Sequence, residues 1–118
     1  MDASTSAELI AVHRAATEAQ LTELTAEFHR LLAASAMSNL DDEHDPEGAT
    51  VGFERAQLSA LLDRTRQQLR ELDAAERRLA AGAYGCCERC GEPIGDERVA
   101  ALPTARLCVH CAARAGRR

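Results

Sequence analysis

The sequence predicts a mainly α-helical chain: an antiparallel two-helix coiled-coil hairpin, then a small four-cysteine module with a short C-terminal helix. Three observations predict it. Two long stretches carry leucines at alternating three- and four-residue steps. A short acidic run containing Pro and Gly separates them. Four of the five cysteines stand as two Cys-x-x-Cys pairs near the end. Apolar residues make up 46% of the 118 residues but aromatics only 3%, with no Trp, so Ala and Leu supply most of the apolar surface. Both are strong helix formers. A chain of this length is one modest domain, or a small domain with an extended appendage, and a large enclosed active site is not expected.

The first helix is expected from about Ser6 to Leu40, where Ile10, Leu21, Leu24, Phe28, Leu31 and Leu32 recur at helical spacing. Leu21, Leu24, Phe28 and Leu31 share one stripe. Residues 41–48, Asp-Asp-Glu-His-Asp-Pro-Glu-Gly, break the pattern, because Pro disfavours helix before it and Gly loosens the backbone. A second helix is expected from about Gly52 to Ala81, with Leu58, Leu62, Leu69, Leu72 and Leu79 on the seam, Thr65 at the intervening heptad position and Leu61 beside it. Two long helices joined by a short turn fold back and bury the two seams against each other. Gly82 and Gly85 then supply a cap and hinge, which divides the chain into a helical hairpin, 1–83, and a cysteine module with a basic tail, 84–118.

The cysteines carry the chemistry. Cys87-Glu88-Arg89-Cys90 is followed, after seventeen residues, by Cys108-Val109-His110-Cys111. Two such pairs let two backbone turns each present two sulfurs to a tetrahedral zinc ion, and Gly91 stands where the first knuckle needs a tight turn. Cys87, Cys90, Cys108 and Cys111 are therefore expected to hold one structural Zn2+. Cys86 competes with Cys87 by position, but only Cys87 repeats the spacing of the second pair; Cys86 reads as a spectator thiol. His110 lies between two better placed cysteines and reads as a solvated residue. A site closed by four thiolates leaves no position for a reacting water. With no Gly-rich phosphate loop and no paired histidine ligands, the chain reads as a non-enzyme.

The formal net charge is −5, which argues against a protein that coats nucleic acid by charge alone. Its distribution is uneven: Asp41, Asp42, Glu43, Asp45 and Glu47 crowd the interhelical turn, while Arg106, Arg114, Arg117 and Arg118 mark a basic tail. No basic n-region with an apolar core opens the sequence, and no run approaches a membrane span, so a cytoplasmic protein without a membrane partner is expected. Cysteines spaced as metal ligands rather than disulfides fit that compartment.

Tyr84-Gly85, the run Cys87 to Gly95, Glu97-Arg98, Ala101 to Ala105 and the pair Cys108 and Cys111 together resemble the C-terminal zinc finger of DksA/TraR proteins. The acidic-tipped hairpin resembles the coiled coil of the same family. The resemblance implies a bacterial transcription regulator that binds RNA polymerase directly. It would insert the coiled-coil tip into the secondary channel, bringing Asp42, Glu43, Asp45 and Glu47 toward the polymerase active site. Sequence-specific DNA binding is not implied. Action together with ppGpp is implied, although Ala112 stands where relatives carry a basic residue after the last cysteine. The family's tip reads Asp-x-x-Asp-x-Ala. Here Asp42 and Asp45 keep the acid spacing without the Ala, and Ala49 comes with altered acids before it.

Two other readings compete: a nucleic-acid-binding zinc ribbon that uses Arg106, Arg114, Arg117 and Arg118, and a thiol redox sensor built on Cys86 beside the zinc thiolates.

Overall fold

The computed structural model describes residues 1–38 and 46–116. They form four helices, α1 (Ala3–Ser38), α2 (Pro46–Ala80), α3 (Asp96–Ala101) and α4 (Val109–Ala115), and no strand occurs among the described residues. Two compact units result, one from Ala16–Leu69 and the other from Met1–Ala15 together with Arg70–Arg118. No described helix is long and apolar enough to cross a membrane.

Both long helices begin earlier than periodicity suggests, and local chemistry gives the reason. Asp2 caps α1: its carboxylate accepts the Thr5 N–H at 2.7 Å, satisfying one of the free donors of the first turn. The same hydrogen bond, with the Thr5 side chain, lowers the Asp2 pKa. The helix therefore starts at Ala3, and Ser6 lies inside it, 3% exposed. Helix α2 starts at Pro46 rather than Gly52. A proline is well placed at a first helical position, where its missing N–H would have had no partner and its φ is already helical. The acidic turn expected over 41–48 is thus shortened from its C-terminal side; Asp42, Glu43 and Asp45 lie outside the described residues.

The end of α2 follows from Gly82, which takes φ 75°. Its N–H donates to the Leu79 carbonyl at 3.1 Å and the Ala83 N–H donates to Arg78 at 2.8 Å, the paired bonds of a glycine-terminated helix that satisfy carbonyls otherwise left open.

The helices pair in antiparallel order. In the discontinuous unit Arg14 of α1 meets Asp73 and Glu76 of α2, its Nε donating to Glu76 at 2.8 Å. There Ile10, Leu72 and Ala75 are 1%, 3% and 0% exposed. In the contiguous unit Leu24 and Leu31 of α1 flank Leu58 and Leu61 of α2, and Leu58, Leu62 and Thr65 are buried. Thr65 returns its hydroxyl to the Leu61 carbonyl at 2.8 Å, which lets a polar residue occupy a heptad seam without an unsatisfied donor.

Candidate metal centre

The first knuckle is built on a short backbone hairpin. The Ile94 N–H donates to the Gly85 carbonyl and the Cys87 N–H to Glu92, both at 2.8 Å, and Cys86 bridges Pro93. Inside it the Gly91 N–H returns to the Cys87 carbonyl at 2.9 Å, with Gly91 at φ 77°. A side chain there would be strained. The second knuckle is the start of α4: Cys108 is its N-cap, and its sulfur accepts the Cys111 N–H at 3.5 Å.

Between the knuckles lies α3, which leucine periodicity does not announce because it is only six residues long. Asp96 and Glu97 in its first turn, after Gly95, are the signal that could have found it. The segment joining α3 to α4 holds the second knuckle in place through four of its carbonyls. Tyr84 Oη donates to Pro103 at 2.7 Å, Arg78 Nη2 to Thr104 at 3.4 Å, the Glu88 N–H to Arg106 at 2.9 Å and Arg98 Nε to Leu107 at 2.9 Å. Pro103 and Ala105 are buried. Tyr84, half-buried, has its pKa raised by desolvation, and burial lowers that of Arg78.

These constraints bring the four sulfurs of Cys87, Cys90, Cys108 and Cys111 within 4.8 Å of one another. A zinc ion about 2.3 Å from each of four thiolates requires sulfur–sulfur separations of roughly 3.8 Å; Cys90 and Cys108 stand at 3.8 Å. The donor set and its spacing fit one tetrahedral zinc. Cys87, Cys108 and Cys111 are buried with Ile94, Val99 and Ala105 in a small core against which Leu9, Tyr84 and Leu107 pack, while Cys90 is exposed. Cys86 is also exposed and lies outside the cluster. His110 is exposed on α4.

The sulfurs are electrostatically unequal. Backbone N–H groups of Cys90 and then Cys108 pull Cys87 down to about 6, so one site of the cluster is a thiolate at neutral pH. Desolvation, followed by the Cys108 and Cys87 thiols, pushes Cys111 up to about 12. At Cys90 the Glu92 N–H acts downward, but the Cys87 sulfur, desolvation and the Cys108 sulfur outweigh it and the net shift is upward. A cation placed among them replaces shared protons, as zinc binding to cysteines requires.

Residues 82–115 match the prokaryotic dksA/traR C4-type zinc finger. The chain is similar to the transcription factor DksA2 of Pseudomonas aeruginosa, with a TM-score of 0.59 and 30% identity over 98% of this chain and 89% of that one. The chain belongs to the DksA/TraR family. Other DksA/TraR relatives align over shorter stretches. The RNA polymerase-binding transcription factor DksA of Caulobacter vibrioides is 46% identical over 48% of this chain and 39% of its own length. That of Haemophilus influenzae is 32% identical over 67% of this chain and 58% of its own. The chain thus spans less than two thirds of either protein.

The acids expected at the tip stand apart from these observations: Asp42, Glu43 and Asp45 are outside the described residues, and of Glu47 only the backbone, in the first turn of α2, is described. Of the basic residues expected to contact nucleic acid, Arg106 donates its Nε to both Glu88 carboxylate oxygens at 3.0 Å, Arg114 is exposed, and Arg117 and Arg118 are outside the described residues.

Proposed function

We propose that this chain is a transcription regulator that binds RNA polymerase directly and inserts the tip of its α1–α2 hairpin into the secondary channel. The observation that carries the reading is the likeness to DksA2, a transcription factor, over nearly all of both chains. In this reading residues 1–83 form the probe and 84–118 the zinc finger and basic tail. Cys87, Cys90, Cys108 and Cys111 hold one structural zinc, and Asp42, Glu43, Asp45 and Glu47 face the polymerase active site. The zinc contributes folding free energy rather than catalysis, and the chain acts on another enzyme's reaction rather than its own. Promoter DNA is not read by base contacts. Engagement of Arg106 with Glu88 favours this over a nucleic-acid-binding ribbon. Ala112 after the last cysteine favours a response with little dependence on ppGpp.

The test is co-purification of the zinc-loaded chain with polymerase, with a photocrosslinker at position 42 or 45, beside in vitro transcription. Crosslinks inside the secondary channel, and loss of regulation with retained binding in Asp42→Ala/Asp45→Ala, support the reading. Absence of polymerase binding, or a gel shift with free DNA that weakens steeply with salt, overturns it.

A further inference from the structure

The start of α1 and the zinc finger belong to one compact unit. Leu9, half-buried, packs on the small core of Cys87, Ile94, Val99, Ala105, Cys108 and Cys111. Half of that core consists of ligand cysteines. Ser6, one turn before Leu9 on the same side of the helix, is 3% exposed, and Ile10 is 1% exposed. A second contact joins the Met1 amino group to the Asp96 carboxylate of α3 at 3.1 Å, but the Asp96 side chain is 73% exposed, and an ion pair so open to water contributes little. Leu9 therefore carries the attachment. It is confined to the first turns, because at Arg14 the helix is already fixed to α2 by ion pairs with Asp73 and Glu76.

We propose that the finger is a metal-dependent latch on α1: loaded with zinc it holds Ala3 to Leu9 helical and shielded, and zinc loss releases them while the pairing of α1 with α2 from Arg14 onward persists. A four-thiolate module gains its folding free energy from the metal, and one this small has little other core. When the core opens, Leu9 loses its packing. A helix end without tertiary contacts frays, since most helical stability in proteins comes from packing rather than propensity. The site thus reports its occupancy at the base of the hairpin, by exposing Leu9. Coupling between two sites is reciprocal in binding free energy, so the packing of Leu9 also raises the affinity for zinc. The inference rests on the zinc site and not on the polymerase reading.

The test follows amide hydrogen exchange by NMR on the full chain, zinc-loaded and after chelation. Chelation is expected to speed exchange at Ser6 to Leu9 by about tenfold or more and to leave residues 18–24 nearly unchanged. Leu9→Ala is expected to reproduce the fast exchange at Ser6 to Glu8 with one zinc still bound. It should also weaken zinc, in equilibrium competition with a chelator, by a factor on the order of ten. Val12→Ala, at a position 62% exposed on the same helix, is the control and changes neither quantity. Circular dichroism establishes that both variants keep their helices, and the chelation comparison on the unaltered chain stands without them. Unchanged exchange at Ser6 to Leu9 after chelation overturns the proposal. So does loss of protection extending through residues 18–24, or a Leu9→Ala chain whose exchange and zinc affinity match those of Val12→Ala. Polymerase takes no part in these measurements, so their outcome is independent of whether the chain binds it.

Discussion

Tyr84 donates its hydroxyl to the carbonyl oxygen of Pro103 at 2.7 Å, and so ties the entry of the first knuckle to the segment leading into the second. Tyr84→Phe removes the donor and leaves the carbonyl of a buried residue without that partner. The finger is expected to lose about 1 kcal/mol, read as earlier thermal unfolding of residues 84–116 and faster zinc transfer to a chelator. An unchanged transfer rate would show that the other three donors hold the segment alone.

Single Cys→Ser changes at Cys87, Cys90, Cys108 and Cys111 are each expected to reduce bound zinc severely, whereas Cys86→Ser keeps one zinc per chain. Metal analysis after gel filtration decides it. Loss of zinc from Cys86→Ser with retention in Cys87→Ser would exchange the two residues' roles.

The unequal thiols make proton release a measurable signature. Cys87, held near 6, is ionised at pH 7.5 before metal arrives, while Cys111, near 12, still carries its proton. Zinc binding at pH 7.5 therefore releases fewer protons than there are ligands. The number rises as the pH falls to 5.5, because Cys87 is then mostly protonated and must also give up a proton. Calorimetry in buffers of different ionisation enthalpy measures the count at each pH, and equal counts would contradict a thiolate at Cys87. Zinc affinity itself falls with acid, since protons compete for every sulfur.

Ala75 has no exposed surface at the α1–α2 seam, so Ala75→Leu must displace its neighbours. Overpacking of this kind costs about 1–3 kcal/mol. Denaturant unfolding should show that loss, while Ala74→Leu, one position around the helix and only half-buried, should cost less.

Much of this architecture is legible in the sequence, for unequal reasons. The two Cys-x-x-Cys pairs announce themselves because metal geometry fixes ligand spacing, and the structure brings those four sulfurs together while leaving Cys86 aside. The seam of α2 is legible where it is made of large residues: Leu58, Leu62 and Leu72 are buried, and Thr65 fills the heptad position between them. Helix packing is illegible at Ser6 of α1 and Ala75 of α2, which are at least as deeply buried, because small residues carry little hydropathy. Helix starts lie outside the reach of periodicity where a cap or a first-turn proline, at Asp2 and Pro46, decides the boundary. The donors that fix Pro103 to Leu107 lie up to 26 residues away in sequence, and no local pattern reports them.

The division of the chain into a contiguous unit and a discontinuous one sets an order of assembly. Residues 16–69 contain both partners of their own helix pairing and can associate as soon as they leave the ribosome. Residues 1–15 find their partners only beyond residue 70, and Leu9 packs against a core completed by Cys111. Contacts so distant in sequence close late, after the loop entropy between them has been overcome. The first turns of α1 are therefore among the last to settle. During synthesis the nascent protein exposes Ile10 until the end of α2 emerges and Leu9 until the second knuckle does, a window in which chaperones or premature metal capture by one knuckle can act on it.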